Sequence, residues 1–132
     1  MATIFTKIIR GDIPCYKIAE NERFFAFLDI NPSSEGHTLV VPKKEVDYLF
    51  DLDDDLLAEM VIYARDVARA IDRALGCIRT GLIVQGLEVP HAHIHLIPIY
   101  KTSQPFSLGK KADLSKEQME QVAAKIRSEL KP

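Results

Sequence analysis

The sequence predicts an α+β fold. Three observations carry that expectation. Short apolar runs rich in branched and aromatic residues are separated by turn signals, the mark of strands. One long segment repeats its apolar residues at helical spacing, and a shorter one does so near the C-terminus. The connections between the strand runs are short, which favours antiparallel pairing.

The elements follow in order. Gly-Asp-Ile-Pro at 11–14 is a turn, and residues 16–30, YKIAENERFFAFLDI, read as two strands around a tight turn at Glu20–Asn21–Glu22. Residues 31–36, NPSSEG, form a loop, because Asn-Pro starts a turn and Gly36 permits backbone angles closed to other residues. The run HTLVVP at 37–42 is a strand that Pro42 ends. Leu56, Met60, Tyr63, Val67, Ile71 and Ala74 then recur at spacings of three and four, which makes the next segment a helix. Asp53 or Asp54 caps its start and Gly76 its end. Two further strands are expected at 78–86 and 91–99, with a break at Gly86 and Pro90. Residues 101–113 are polar and carry Pro105 and Gly109, so they form a loop. Ser115–Lys116–Glu117–Gln118 has the form of a capping box, and Met119, Val122, Ala123 and Ile126 are the apolar stripe of the last helix.

Bulk properties narrow the function classes. A chain of 132 residues fits one domain, taken as 1–132. Its net charge of −2 argues against a general nucleic-acid binder. No uncharged apolar run is long enough to span a membrane, and the N-terminal residues lack the apolar core of a signal peptide. Cys15 and Cys77 do not form a CxxC pair, which points to free thiols in a reducing, cytoplasmic compartment.

The chemistry concentrates at residues 90–98, PHAHIHLIP. Three of the four histidines, His91, His93 and His95, fall at every second position, and the fourth is His37. In a strand those three share one face, while Ala92, Ile94 and Leu96 turn to the other and into a core. Such a row suits a metal site, because neutral imidazole is a good ligand for zinc, copper or iron. It equally suits phosphoryl or nucleotidyl transfer, in which an unprotonated imidazole attacks phosphorus and a neighbour stabilises charge on oxygen. It also fits a half-exposed strand with no chemical role. Spacing alone leaves these three open.

A resemblance separates them. The segment HAHIHLI at 91–97 is similar to the signature of the histidine triad (HIT) nucleotide-binding family, His-φ-His-φ-His-φ-φ, where φ is apolar. TIFTKIIRGDIP at 3–14 resembles the family's opening, and AFLDINP at 26–32 with GHTLVVPKK at 36–44 resembles its nucleotide-binding segment. The likeness runs from residue 3 to about 99. It implies a HIT-like fold, a five-stranded antiparallel sheet with one long and one C-terminal helix. It implies that His93 attacks the α-phosphorus of a nucleotide derivative, that a nucleotidyl-histidine intermediate forms, and that water releases the monophosphate. His91, His95 and His37 would orient the nucleophile, hold phosphate oxygens and assist the leaving group. Asp29 would accept hydrogen bonds from the ribose hydroxyls, and Phe27 and Ile30 would line a base pocket. The implied substrate is a purine nucleoside 5′-phosphoramidate or a related AMP- or GMP-like ester, handled without cofactor or catalytic metal by a two-fold homodimer. Hydrolysis of dinucleoside polyphosphates, with Lys101, Lys110 and Lys111 meeting the larger leaving group, and a nucleotide-binding adaptor with little turnover are the alternatives.

The chain also departs from the family pattern. The segment before the triad, LIVQGLEVP at 82–90, is short; Leu87 stands where a Gln is common, and Glu88 where a phosphate-contacting polar residue is common. Gln85 falls near an Asn position and could supply a polar contact to the nucleotide. Glu88 would either repel a phosphate or orient a histidine by hydrogen bonding. Thr3, Thr6 and Glu45 occupy positions where some members bind structural zinc, so no structural zinc is expected.

Overall fold

A computed structural model describes residues 2–130. The elements run α1 (Ile4–Arg10), β1 (Lys17–Glu20), β2 (Phe24–Leu28), β3 (Thr38–Pro42), a 3-10 turn (Leu49–Asp51), α2 (Asp54–Leu75), β4 (Arg79–Ile83), β5 (Ile94–Ile99) and α3 (Lys116–Glu129). The five strands form one sheet in the order β1-β2-β3-β5-β4, and every neighbouring pair is antiparallel. The α+β expectation therefore holds, as do the hairpin at Asn21, the capping of α2 by Asp53 and Gly76, and the capping box at Ser115.

Both faces of the central strands are buried, and side-chain alternation sorts their residues between two cores. Phe24, Ala26 and Leu28 of β2, Val40 of β3, and Ile94 and Leu96 of β5 face α2 and α3. Met60, Val67 and Ile71 of α2 and Val122 and Ile126 of α3 meet them there. Phe25 and Phe27 of β2, with Leu39 and Val41 of β3, point to the opposite face, where Phe5 of α1 joins them. That second, smaller cluster forms the floor beside the histidines.

Two expectations need correction. The first concerns the helices: beside the expected long and C-terminal helices, the N-terminal residues form a third, α1. Thr3 caps it through its hydroxyl, Gly11 ends it in the left-handed region, and Phe5, Ile8 and Ile9 supply its apolar side. The second concerns the triad, which is not carried wholly on a strand. β5 begins at Ile94, opposite Val40, so His91, Ala92 and His93 precede the ladder. β3 ends in Pro42, which has no N–H to extend the pairing, and Ala92 instead donates to the Val46 carbonyl at 2.7 Å. Alternation survives the break: Ala92, Ile94 and Leu96 all lie in the helix-covered core.

Candidate active site

His37 stands just before β3, His95 sits within β5, and His91 and His93 lie on the segment that enters β5. The register Leu39↔His95 brings the ends of these elements together. All four rings are buried, at 0–7% exposure, so they do not stand on a half-exposed strand. A buried imidazole needs partners for its nitrogens, and these partners fix where each proton sits.

The Ser33 N–H donates to His37 Nδ1 at 2.9 Å, so neutral His37 carries its proton on Nε2. That Nε2 lies 3.0 Å from His95 Nδ1 and donates to it, which places the His95 proton on Nε2. His93 Nδ1 lies 2.7 Å from the His91 carbonyl oxygen, which only accepts. His93 therefore keeps its proton on Nδ1 and leaves a lone pair on Nε2. His91 Nε2 donates to the Pro42 carbonyl at 2.7 Å, and its Nδ1 accepts from the Thr3 hydroxyl at 2.7 Å. The result is an unprotonated Nε2 on His93 and an Nε2–H on His95, in rings packed edge to face with centroids 4.9 Å apart.

Burial disfavours the charged form of His37, His93 and His95. It pushes His37 down to about 3, with the neighbouring His95 and Lys111 adding to the shift. It pushes His95 down to about 4, with His93 as the lesser cause. His93 is also lowered by burial, against the hydrogen bond to the His91 carbonyl. The 3.6 Å approach of His37 Nε2 to Asp29 Oδ2 is consequently no ion pair at neutral pH.

Asp29, His37 and His95 each offer one ligand atom within 4.8 Å of the others, a spacing that could hold a cation. The chemistry of the set argues otherwise. A ligating histidine normally gives its other N–H to an acceptor. The other nitrogen of His37 faces the Ser33 N–H, so binding an ion at Nε2 would set two donors against each other. The cluster suits a shared proton.

Around the rings, Asp29 Oδ1 accepts from the Asn31 N–H at 2.8 Å, which leaves Oδ2 for a second donor. Burial raises the Asp29 carboxyl, and the charge of Glu88 adds to that rise. Phe27 is packed at 4% exposure against Phe5 and Phe25, whereas Ile30 is 69% exposed. Phe27 is thus core packing, and Ile30 is a surface side chain. Gln85 and Glu88 are exposed on the loop after β4. Among the described residues Glu88 orients no histidine by hydrogen bonding; backbone groups and Thr3 do that instead.

Sequence reasoning passed over three contributors. Phe5 packs its ring against His93 at 5.0 Å and His91 at 5.7 Å. Its place on a helix could have been read from the Thr3 cap, the apolar spacing and Gly11. Thr3 holds His91, while the Glu45 carboxylate accepts from the Thr3 N–H at 2.9 Å and the Thr6 hydroxyl at 2.6 Å. These residues form a hydrogen-bonded cluster that ties α1 to the triad. Ser33 acts through its backbone N–H, which no sequence pattern announces.

Known proteins resemble this chain in sequence and fold. The HIT domain family model matches residues 10–102. An adenosine 5′-monophosphoramidase of Schizosaccharomyces pombe is 34% identical over 135 residues, covering 99% of this chain and 100% of that protein. The adenosine 5′-monophosphoramidase of Saccharomyces cerevisiae is 38% identical over 98 residues, covering 74% of this chain and 62% of that protein. Among solved structures, a Hit-like protein involved in cell-cycle regulation from Bartonella henselae superposes with a TM-score of 0.84 at 31% identity, covering 97% of this chain and 96% of that one. With that fold, that order of histidines and these relatives, the chain belongs to the HIT family, on the branch that holds the two yeast monophosphoramidases.

Proposed function

We propose that this enzyme hydrolyses purine nucleoside 5′-phosphoramidates, or related nucleoside monophosphate derivatives, through a nucleotidyl intermediate on His93. The observation that supports this reading best is the pair of fixed tautomers: a lone pair on His93 Nε2 beside an N–H on His95 Nε2. His93 Nε2 attacks the α-phosphorus, and the bond to the leaving nitrogen breaks as that nitrogen, carrying a proton taken up from solvent, departs as the amine. The positive charge gained by the His93 ring is eased by its Nδ1–H bond to the His91 carbonyl. The His95 N–H is the donor assigned to the phosphate oxygen that gains charge. Water then cleaves the phosphorus–His93 bond and releases the monophosphate. Asp29 receives the ribose hydroxyls through its free oxygen, and Ile30 meets the base. The yeast relatives are named for this class of substrate.

The dinucleoside polyphosphate reading draws less support. The Lys111 ammonium is engaged by the carbonyls of Ser107, Leu108 and Gly109, and Lys110 stands 3.5 Å from Asp113. One observation favours the adaptor reading: the Glu88 charge reaches both Asp29 and His93, where it would oppose a bound phosphate.

The same reading includes a homodimer joined through β4. The other edge strand, β1, is blunted by the Lys17–Glu20–Lys43 ion pairs at 2.6 Å, while β4 and the residue after it leave Leu82 and Val84 exposed. A cytoplasmic setting agrees with the two unpaired cysteines. No helix among the described residues is long and apolar enough to cross a membrane.

The test is monophosphate release from adenosine 5′-phosphoramidate in the presence of EDTA. The native protein should turn over, and His93→Ala should lose at least roughly a thousandfold in kcat. Equal rates for the two would defeat the covalent reading, and loss of native activity with EDTA would point to a metal.

A further inference from the structure

We propose that the segment 107–112, together with Ser33, is a positioning device that selects the tautomers of the active-site imidazoles. The inference rests on the hydrolase reading only for its activity readout.

The need for such a device follows from imidazole chemistry. A neutral ring can carry its proton on either nitrogen, and the contact it makes decides which. The contact between His37 Nε2 and His95 Nδ1 joins two such rings and cannot choose by itself. Asp29 Oδ2, at 3.6 Å, is farther away than His95. The Ser33 peptide N–H breaks the symmetry, because unlike a hydroxyl it can only donate. It holds the His37 proton on Nε2, and the relay leaves His95 with Nε2–H, next to the nucleophilic nitrogen of His93.

Ser33 is held in place from a part of the chain without regular structure. Its hydroxyl lies 3.0 Å from the carbonyls of both Ser107 and Gly109. The N–H groups of Lys111 and Ala112 donate to the Pro32 carbonyl at 3.0 and 3.1 Å. The Lys111 ammonium closes the segment on itself through the Ser107, Leu108 and Gly109 carbonyls. Farther back, the ring of Phe106 fills the space over Gly81 of β4, where any side chain would collide with it. Gln104 donates to the Pro98 carbonyl at 2.9 Å, and the Tyr100 hydroxyl to the Glu35 carbonyl at 2.6 Å. The bonds from Ser107, Gly109, Lys111, Ala112 and Tyr100 converge on residues 32–35, which contribute no side chain to the imidazole cluster. What they present to it is the Ser33 N–H.

Ser34 provides the control. It is as buried as Ser33, at 7% against 6%, but its hydroxyl donates to the Pro98 carbonyl. The experiment is nitrogen-15 NMR of the histidine side chains in the free protein near neutral pH, with kcat and KM measured alongside. The native protein should show His37 and His95 protonated on Nε2 and His93 on Nδ1. Ser33→Ala should mix the His37 and His95 tautomers and lower kcat by at least about tenfold with KM little changed, as for other residues that orient a working histidine. Ser33→Thr, which keeps the hydroxyl, should recover most of the rate. Ser34→Ala should lose comparable stability yet keep the native tautomers and kcat. If Ser33→Ala does not fold, Lys111→Met loosens the same clasp from an exposed position and should shift the tautomers in the same direction. Native tautomers and an unchanged kcat in the clasp variants would overturn the inference, as would equal tautomer changes in Ser34→Ala. If the native protein shows no turnover while the tautomers respond as stated, the hydrolase reading fails and the positioning device stands.

Discussion

Single residues set the pH behaviour. Unfolded histidines take up protons below about pH 6.5. Folded His37 and His95 refuse them until about 3 and about 4. Between those limits the unfolded chain binds more protons, so stability rises with pH through the window. This stabilisation is complete above about 6.5 and is lost as pH falls, with a slope of at most about 1.4 kcal/mol per pH unit for each histidine. The raised Asp29 carboxyl acts in the opposite sense at the acid end. Urea unfolding should therefore show a lower midpoint near pH 5 than near pH 7, and His37→Gln should shrink the difference; an unchanged difference would assign the slope to other groups. Because burial also lowers His93, the acid limb of kcat/KM should lie below the ordinary imidazole value of about 6.5. The free Oδ2 of Asp29 yields a second prediction. Asp29→Asn should raise KM for a ribonucleotide substrate roughly tenfold, the worth of one charged hydrogen bond. With a 2′,3′-dideoxy analogue the native and variant enzymes should have similar KM values, and a persistent gap would place Asp29 away from the ribose.

At the scale of elements, the site depends on how strands and helices end. β3 ends at a proline, and that frees His91 and His93 from the ladder, so that His91 bonds the Pro42 carbonyl and His93 the His91 carbonyl. Helix α1 covers the second core and sets Phe5 against the His93 ring. The loop before β3 turns at Gly36, whose φ of +92° lies in the left-handed region. A Cβ at that position would run into the side chains of Leu75, at the end of α2, and Pro98 of β5. Gly36→Ala should thus cost about 1–3 kcal/mol from backbone strain alone. Because His37 is the next residue, kcat should fall as well. Equilibrium unfolding and steady-state kinetics on the same preparation check both, and a stable, fully active variant would show that the turn can relax.

For the whole molecule, the order β1-β2-β3-β5-β4 leaves two edges of unequal character. Ion pairs line the β1 edge, whereas apolar side chains stand out along β4. Exposed apolar side chains at a strand edge invite a second strand. Leu82 is 49% exposed, so Leu82→Lys should fold normally and yet shift the protein to monomer at micromolar concentration in sedimentation equilibrium. A dimer of undiminished strength in the variant would move the interface elsewhere.

The sequence alone determined the α+β class, the five strands and both long helices with their caps, and it singled out the histidines as the candidate seat of the chemistry. It could do so because periodicity, capping and turn formation are local: a strand's alternation or a helix's apolar stripe is written in neighbouring residues. A strand pattern also continues past the last ladder bond, which is why His91 and His93 read as strand residues. The tertiary structure decided the proton positions on the four rings, the separation of buried Phe27 from exposed Ile30, and the use of segment 107–112. These depend on groups far apart in the chain, such as Ser33 with Ser107 and Gly109, or Thr3 with His91. Most of the deciding partners are backbone carbonyls and N–H groups. Every residue type has them, so no letter of the sequence marks them, and only folding brings them to the rings.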